Sequence, residues 1–411
     1  MRTIADAFAG TLPAELLTAQ GRFRVGVNYW PARTAMQWWS SFDPAEVATD
    51  FARIAAAGLD SVRVFLTWED FQPTPAHVDA EMLDRLVVVA DTAAELGLAL
   101  VPTLFTGHMS GVNWIPQWAL GGSDGDDRFR VISRGAVVKA GLRNWYADPM
   151  IEDAQRLLAA EAAATLAGHP ALWAWDLGNE NSNCVRPPNN GSGRAWLARI
   201  RAAICGADAS AVVTAGLHME DLEEDRRLGP RDAAVSCDVL SMHGYPIYAP
   251  WAAGPTDERL LPFLARLTRW LGEGRDVFFT EFGLPTYGCG DRSTQNALLV
   301  DEDAAAAYTV SALEALRAAG CIGAMLWCYS DYDPALWGSP PFDVAQHERT
   351  FGLWRADGSP KAAVAALAGC IGGERCSPDY ADAWIDIDRE EFLRAPDVQM
   401  PRLYRRYRTS V

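Results

Sequence analysis

The chain has 411 residues, and 36 Lys plus Arg stand against 53 Asp plus Glu, a formal charge of −17 at pH 7. Apolar residues make up 49% and charged residues 22%, an ordinary globular composition that excludes global disorder. The acidic balance argues against nucleic acid or an anionic membrane as partner, because phosphate recognition wants a basic face; neutral ligands stay open.

In chain order, the N-terminal stretch MRTIADAFAGTLPAELL has Arg2 as its one cationic side chain and no apolar run long enough for a signal peptide. No run of about 18 apolar residues follows anywhere, so no membrane span is expected and a cytoplasmic location is the default. A first apolar run, RVGVNYW at 24–30, precedes a helix signalled by Asp43-Pro44-Ala45-Glu46. Asp43 suits the cap, Pro44 the first turn, and Glu46 completes a capping-box spacing. Val47, Phe51 and Ile54 share a face, and Gly58 is a plausible stop. DSVRVFLTW at 60–68 leads to a helix over 78–96, and LALVPTLF at 98–105 to one over 150–167. LWAWDLGNE at 172–180 precedes a helix near 194–204, and AVVTAGL at 211–217 a charged helix near 219–228. DVLSMHGY at 238–245 precedes a helix at 257–272, and DVFFTEFG at 276–283 one at 302–319. IGAMLWCYS at 322–330 is followed by a last helix near 360–369.

Eight continuous apolar strands alternating with amphipathic helices imply a parallel sheet covered by helices, and eight units suggest a closed (β/α)8 TIM barrel. A doubly wound open sheet is the runner-up, but NYWPART is no glycine-rich phosphate turn. The barrel takes residues 1–370. Residues 371–411 read as a C-terminal extension packed on it, with Arg402, Arg405, Arg406 and Arg408 solvated or acid-paired. The loops after the strands are long and aromatic: Trp30, Trp38 and Trp39, then Trp114, Trp118, Trp145 and Tyr146, then Tyr248 and Trp251, then Tyr332 and Trp337. Aromatic side chains dominate cores, but their concentration at the functional end of a barrel favours an aromatic-lined pocket.

The eight cysteines include no Cys-x-x-Cys pair and are expected to be reduced thiols. Gly121-Gly122-Ser123-Asp124-Gly125 matches a serine-hydrolase string but sits in a polar loop without its strand–turn–helix context. GSGRAW at 191–196 lacks the strand context of a dinucleotide site. The six histidines are dispersed and no His-x-His occurs, which disfavours a metal-dependent barrel hydrolase. The run Glu220, Asp221, Glu223, Glu224 and Asp225 reads as a solvated helix face.

Chemistry is expected at the strand ends. Strand four ends in Asn179-Glu180 and strand seven in Thr280-Glu281, on opposite sides of a barrel. Glu is uncommon in an interior unless it is paired or working. Two facing carboxylates suit glycoside hydrolysis, in which one gives a proton to the leaving oxygen and the other attacks the anomeric carbon.

These motifs resemble glycoside hydrolase family 5, in the clan of retaining glycosidases on (β/α)8 barrels, over about residues 24 to 370. The resemblance implies Glu180 in DLGNENS as acid/base and Glu281 in FFTEFGLP as nucleophile. It implies Arg63 in DSVRVFLTW and Tyr245 in SMHGYP as hydrogen-bond partners of Glu281, and Asn179 as a contact to the sugar 2-hydroxyl. It matches His243 in SMHGYP to Glu180 or the substrate, Trp327 in AMLWCYS to the floor of the sugar subsite, and, with looser spacing, His108 in LFTGHMSG. Trp68, Glu69 and Asp70 end strand two, where they either bind hydroxyls or lie on the surface. GVNYWP followed by FLTWEDFQPTP looks most like the bacterial subfamily with intracellular exo-acting β-mannosidases. The resemblance implies an oligosaccharide substrate and no cofactor. The alternatives are an endo-β-1,4-mannanase, a β-glucosidase or endoglucanase, a transglycosylase, or a non-catalytic carbohydrate-binding barrel; the last would be expected to lack one carboxylate.

Overall fold

A computed structural model describes residues 21–125, 127–287, 298–377 and 382–410. The N-terminal stretch read above and Cys289 lie outside the described residues. Eight parallel strands form one sheet: β1 Arg24–Asn28, β2 Ser61–Thr67, β3 Ala99–Thr106, β4 Trp175–Asn179, β5 Val213–Gly216, β6 Leu240–His243, β7 Val277–Phe282 and β8 Gly323–Leu326. Apart from β5 and β6, each strand pairs with its neighbour in sequence, and β8 returns to β1. Between β5 and β6 the sheet nearly closes, through a parallel bridge His218↔His243 and a main-chain bond from His243 N–H to Leu217 O at 2.8 Å. The expected (β/α)8 barrel is therefore the architecture, and the open sheet is not.

The covering helices are α1 Pro44–Ala56, α2 Ala80–Glu95, α3 Pro149–Thr165, α4 Ser192–Ala207, α5 Pro230–Ser236, α6 Leu260–Leu271, α7 Glu302–Ala318 and α8 Ala362–Ala366. Three of them start on an aspartate whose side chain caps the first turn. Asp43 accepts from Ala45 N, Asp79 from Glu81 N and Met82 N, and Asp148 from Met150 N and Ile151 N, which satisfies main-chain donors left over in a first turn. Val47, Phe51 and Ile54 are buried as their spacing requires. Glu46 does not complete a capping box; its carboxylate accepts from Arg33 Nε at 3.2 Å.

The crossover after β5 departs from its expectation. The charged segment makes one helical turn, Glu220–Glu223, and α5 carries the chain back to β6. Gly229-Pro230 sets the start of α5, since proline is tolerated in a first turn and not in a helix interior. The loop after β3 holds structure of its own. Short strands His108–Met109, Val112–Trp114, Arg130–Ser133 and Ala136–Val138 form a small sheet, with a second pair at Leu120–Gly122 and Gly141–Leu142.

Val101, Ala174, Val212, Val239, Phe278, Ile322 and Met325 form a cluster separate from the main core, on the opposite strand face from residues such as Leu100 and Val213. This plugs the barrel interior, so the site lies above a packed floor. In the C-terminal segment α9 Arg389–Arg394 and α10 Pro396–Ser410 bury Phe392, Met400, Leu403, Tyr404 and Tyr407, and Tyr404 packs on Trp251 and Phe263. Arg402 and Arg406 both pair with Asp386, in line with an acid-paired tail. Among the described residues, Cys205, Cys237, Cys321, Cys328, Cys370 and Cys376 are free thiols. No helix among the described residues is long and apolar enough to cross a membrane.

Close strand approach imposes one residue type in β1. A Cβ on Gly26 would lie 2.3 Å from Ser61 Oγ and 2.5 Å from Ser61 O, the second a main-chain atom that cannot swing away. Gly26→Ala should therefore destabilise the fold by about 3 kcal/mol, read as a lowered urea midpoint. An unchanged midpoint would show that β1 and β2 can separate at no cost.

Candidate active site

The strand register sets the site's geometry. Asn28 on β1 pairs with Arg63 on β2, Asn179 on β4 with Gly216 on β5, and His243 on β6 with Glu281 on β7. These pairings aim polar side chains from separate strands at one point above the apolar plug.

Arg63 is fully buried. Its Nη1 donates to Glu281 Oε1 at 2.6 Å and to Asn28 Oδ1 at 3.1 Å. Its Nη2 donates to Asp176 Oδ2 at 2.6 Å and to Asn179 Oδ1 at 2.8 Å, and Nε faces Thr103 Oγ1 and Asp176 Oδ2, each at 2.9 Å. A buried cation is tolerated when it is paired and its donors are used, and here they are. The second oxygen of Glu281 accepts from Tyr245 Oη at 2.9 Å.

Glu180 sits just past β4 with φ 46°, a left-handed conformation that costs a non-glycine residue about 1–3 kcal/mol. Its Oε1 lies 2.9 Å from His243 Nδ1, and its Oε2 accepts from Asn183 Nδ2 at 3.0 Å. His218 Nδ1 and His108 Nε2 stand 3.8 and 3.9 Å from Oε2. Burial pushes the Glu180 carboxyl above the usual carboxylate range, against the pull of His108. Burial pushes Glu281 upward too, opposed by His243 and Arg63. The guanidinium and the phenol touch Glu281 and not Glu180, so of the two Glu281 is better held as an anion. Burial pushes the His243 imidazole down to about 4, so it is neutral at neutral pH.

All eight residues named from the sequence converge on this place. Seven of them line a cavity of about 330 Å³, and Arg63 lies beneath it. Asn179 is more constrained than expected. Its oxygen is taken by Arg63, and one hydrogen of its Nδ2 goes to His108 O at 2.9 Å, which leaves one amide hydrogen for a ligand. Trp327 lines the wall, with Nε1 3.4 Å from Glu348 Oε2.

The aromatic expectation needs correction. Trp30, Trp38, Trp39, Trp145 and Tyr146 are buried packing, because stacked loop indoles bury more area than a solvated pocket wall would. Of the loop aromatics named, Tyr248 alone lines the cavity, joined by Phe129. Trp68 is buried, with Nε1 on Gln72 Oε1 at 2.9 Å. Glu69 accepts from Ser133 Oγ and Arg134 N and so braces the loop after β3, while Asp70 accepts from Thr67 Oγ1 at the end of β2; neither lines this cavity.

Sequence reasoning missed the β5 side. Asp221 is buried and Glu220 lines the cavity, paired with Arg128 and Arg226, so the run is not a solvated face. Its position directly after a barrel strand was the available signal. His218, Asn183, His347 and Glu348 also line the cavity without having been singled out.

Glu180, His243 and Glu281 each place one potential ligand atom within 4.8 Å of the others. The guanidinium on Glu281 opposes a second cation there, so the cluster is better suited to moving protons than to caging a metal.

The histidine environment has a consequence for stability. Between about pH 6.5 and about pH 4 the unfolded chain takes up a proton at His243 that the folded chain refuses, so stability falls as pH falls through that window. His243→Asn should reduce the loss in urea midpoint between about pH 7 and about pH 4.5. An equal loss in both proteins would show that His243 titrates normally in the fold.

No protein-family model matches the chain, and no curated protein matches it. Solved structures do. An exo-β-1,4-mannosidase, Op5Man5 from Opitutaceae bacterium strain TAV5, is 27% identical with a TM-score of 0.68, covering 86% of this chain and 62% of its own. The chain thus spans less than two thirds of that protein. A GH5_18 variant from Streptomyces cattleya in complex with Manβ1-4GlcNAc is 22% identical with a TM-score of 0.77, covering 93% of this chain and 90% of its own. A GH5_18 from Bifidobacterium longum subsp. infantis is 24% identical with a TM-score of 0.71, covering 87% and 80%. Together with the eight-strand parallel sheet, these neighbours show that the chain has a (β/α)8 barrel fold like that of these solved glycoside hydrolases.

Proposed function

We propose that the chain is a retaining β-glycosidase that removes terminal β-mannosyl groups from short oligosaccharides by double displacement. The observation that carries the reading is the approach of two carboxylates from opposite strands, with oxygens of Glu180 and Glu281 within 4.8 Å of each other in one cavity. Retaining glycosidases need about 5–5.5 Å between carboxyl groups, and inverting ones about 6.5–9.5 Å to admit water.

In this reading Glu281 attacks the anomeric carbon and forms a glycosyl ester. Arg63 and Tyr245 hold its two oxygens, which fixes the attacking geometry and keeps the carboxylate ionised until its charge is spent. Glu180 gives its proton to the leaving oxygen. Burial, which raises its pKa, supplies the protonated form this step needs. Once Glu281 is esterified its negative charge is gone, the reason for Glu180 to stay neutral weakens, and Glu180 becomes the base that activates water. The free amide hydrogen of Asn179 serves the sugar 2-hydroxyl, and Trp327 offers an apolar face to the ring. The cavity's volume is at the low end of the range for small-ligand sites, which fits a short substrate. A mannosyl group is favoured by the neighbours named as an exo-β-1,4-mannosidase and as a complex with Manβ1-4GlcNAc.

The test is the initial rate on an aryl β-mannoside beside an aryl β-glucoside, with Glu281→Ala as blank. A mannoside preference is expected, with Glu281→Ala reduced by about 10⁴-fold or more. A glucoside preference would move the substrate, and substantial turnover by Glu281→Ala would remove the nucleophile. Glu180→Ala should lose about 10²–10⁴-fold on unactivated glycosides yet keep slow cleavage of aryl glycosides with good leaving groups. Full activity on unactivated glycosides would remove Glu180 as the acid.

A further inference from the structure

Resting on the reading of Glu180 as acid/base, we infer that His218 is a positioning residue that keeps Glu180 protonated by presenting a bare imidazole nitrogen to it, in a tautomer locked by Ser182 and Asp221. His218 follows β5 and is buried, and its two nitrogens face different partners. Nε2 lies 2.9 Å from Ser182 Oγ, and Nδ1 lies 3.8 Å from Glu180 Oε2.

The tautomer follows from counting protons. Ser182 has one hydroxyl hydrogen and gives it to Asp221 Oδ1 at 2.6 Å. The hydroxyl oxygen also accepts from Arg226 Nη1 at 3.2 Å. With its one hydrogen committed, Ser182 can only accept from His218, so the imidazole proton is on Nε2 and Nδ1 carries a lone pair. Asp221 accepts on its other oxygen from His218 N–H, which reaches Oδ2 at 3.1 Å; burial pushes the Asp221 carboxyl up to about 7, and the lock belongs to its ionised form.

The lone pair on His218 Nδ1 therefore faces Glu180 Oε2. A proton on that oxygen is attracted to it, and an ionised carboxylate is repelled. The groups facing His218 agree with a neutral ring. Arg226, His243, His108 and Arg128 all oppose a charge on it, after burial itself. Glu180 and Asp221 are the acids that face it. Around Glu180 the opposing influences are His108, Arg63 and Arg226, which favour its anion, and Glu220, which disfavours it. His218 adds to the side of Glu220.

The experiment is the pH profile of kcat/KM on an unactivated β-glycoside for Ser182→Ala and His218→Asn, with melting temperature as the check on folding. Without the lock, His218 can turn its proton to Nδ1 and donate to Glu180, which favours the anion. The alkaline limb of Ser182→Ala should then move down by about half a unit, a loss of about threefold on that limb. His218→Asn should move it the same way. On an aryl glycoside whose leaving group needs no protonation, the rate on the alkaline side should stay at the wild-type level. An alkaline limb unmoved in Ser182→Ala overturns the inference whatever His218→Asn shows. Glu180→Ala separates the two layers. If it keeps its full rate on the unactivated glycoside, the acid/base reading falls; if it loses that rate and the Ser182→Ala limb does not move, only the role of His218 falls.

Discussion

The site is organised around one buried guanidinium. Arg63 joins Asn28 from β1, Thr103 from β3, Asp176 and Asn179 from β4 and Glu281 from β7 in a single hydrogen-bonded group at the mouth of the barrel. Burying a charge is costly, and its partners recover the cost only when geometry is good and few donors are left over. Arg63 could not lie in this interior without the carboxylates of Asp176 and Glu281 that it bonds. The strand register has to be right before the group can form, so the polar cluster and the barrel support each other.

The same group separates the two glutamates chemically. Both are buried, and burial alone would raise both alike. Glu281 has a cation and a phenol on its oxygens, whereas Glu180 has imidazoles and an amide. Two carboxyls within a few ångströms are thereby pushed toward different protonation states, the division of labour that acid–nucleophile catalysis requires. The left-handed backbone at Glu180 belongs to this arrangement, since Glu180 N–H bonds to Gly216 O while the side chain turns back to His243.

The loops after the strands supply the walls by bonding to one another. Arg128 in the loop after β3 pairs with Glu220 after β5, and Arg130 pairs with Asp343 after β8 through two bonds of 2.7 and 2.8 Å. A bidentate guanidinium–carboxylate pair fixes orientation as well as distance. The small sheet after β3 is thus tied down on both sides of the cavity, which gives a long loop a defined position.

The sequence by itself determined the barrel and the pair of glutamates. Apolar strands, capped helices and their eightfold alternation are local patterns, and Asn179-Glu180 and Thr280-Glu281 stand at strand ends that those patterns mark. Arg63, His243, Tyr245 and Trp327 were named through the resemblance to glycoside hydrolase family 5, and the barrel brings them together because its strands converge on one rim. What lay on the far side of β5 was not legible. Glu220 and Asp221 read as a charged surface, because a carboxylate's burial depends on partners distant in the chain, here Arg128, Arg226 and Ser182. The aromatic loops misled likewise, since a tryptophan's sequence neighbours do not say whether it faces a cavity or another ring. Only the tertiary structure decided which loop residues reach the site and which protonation each carboxyl prefers, because both depend on burial and on contacts between segments that the chain brings together only when it folds.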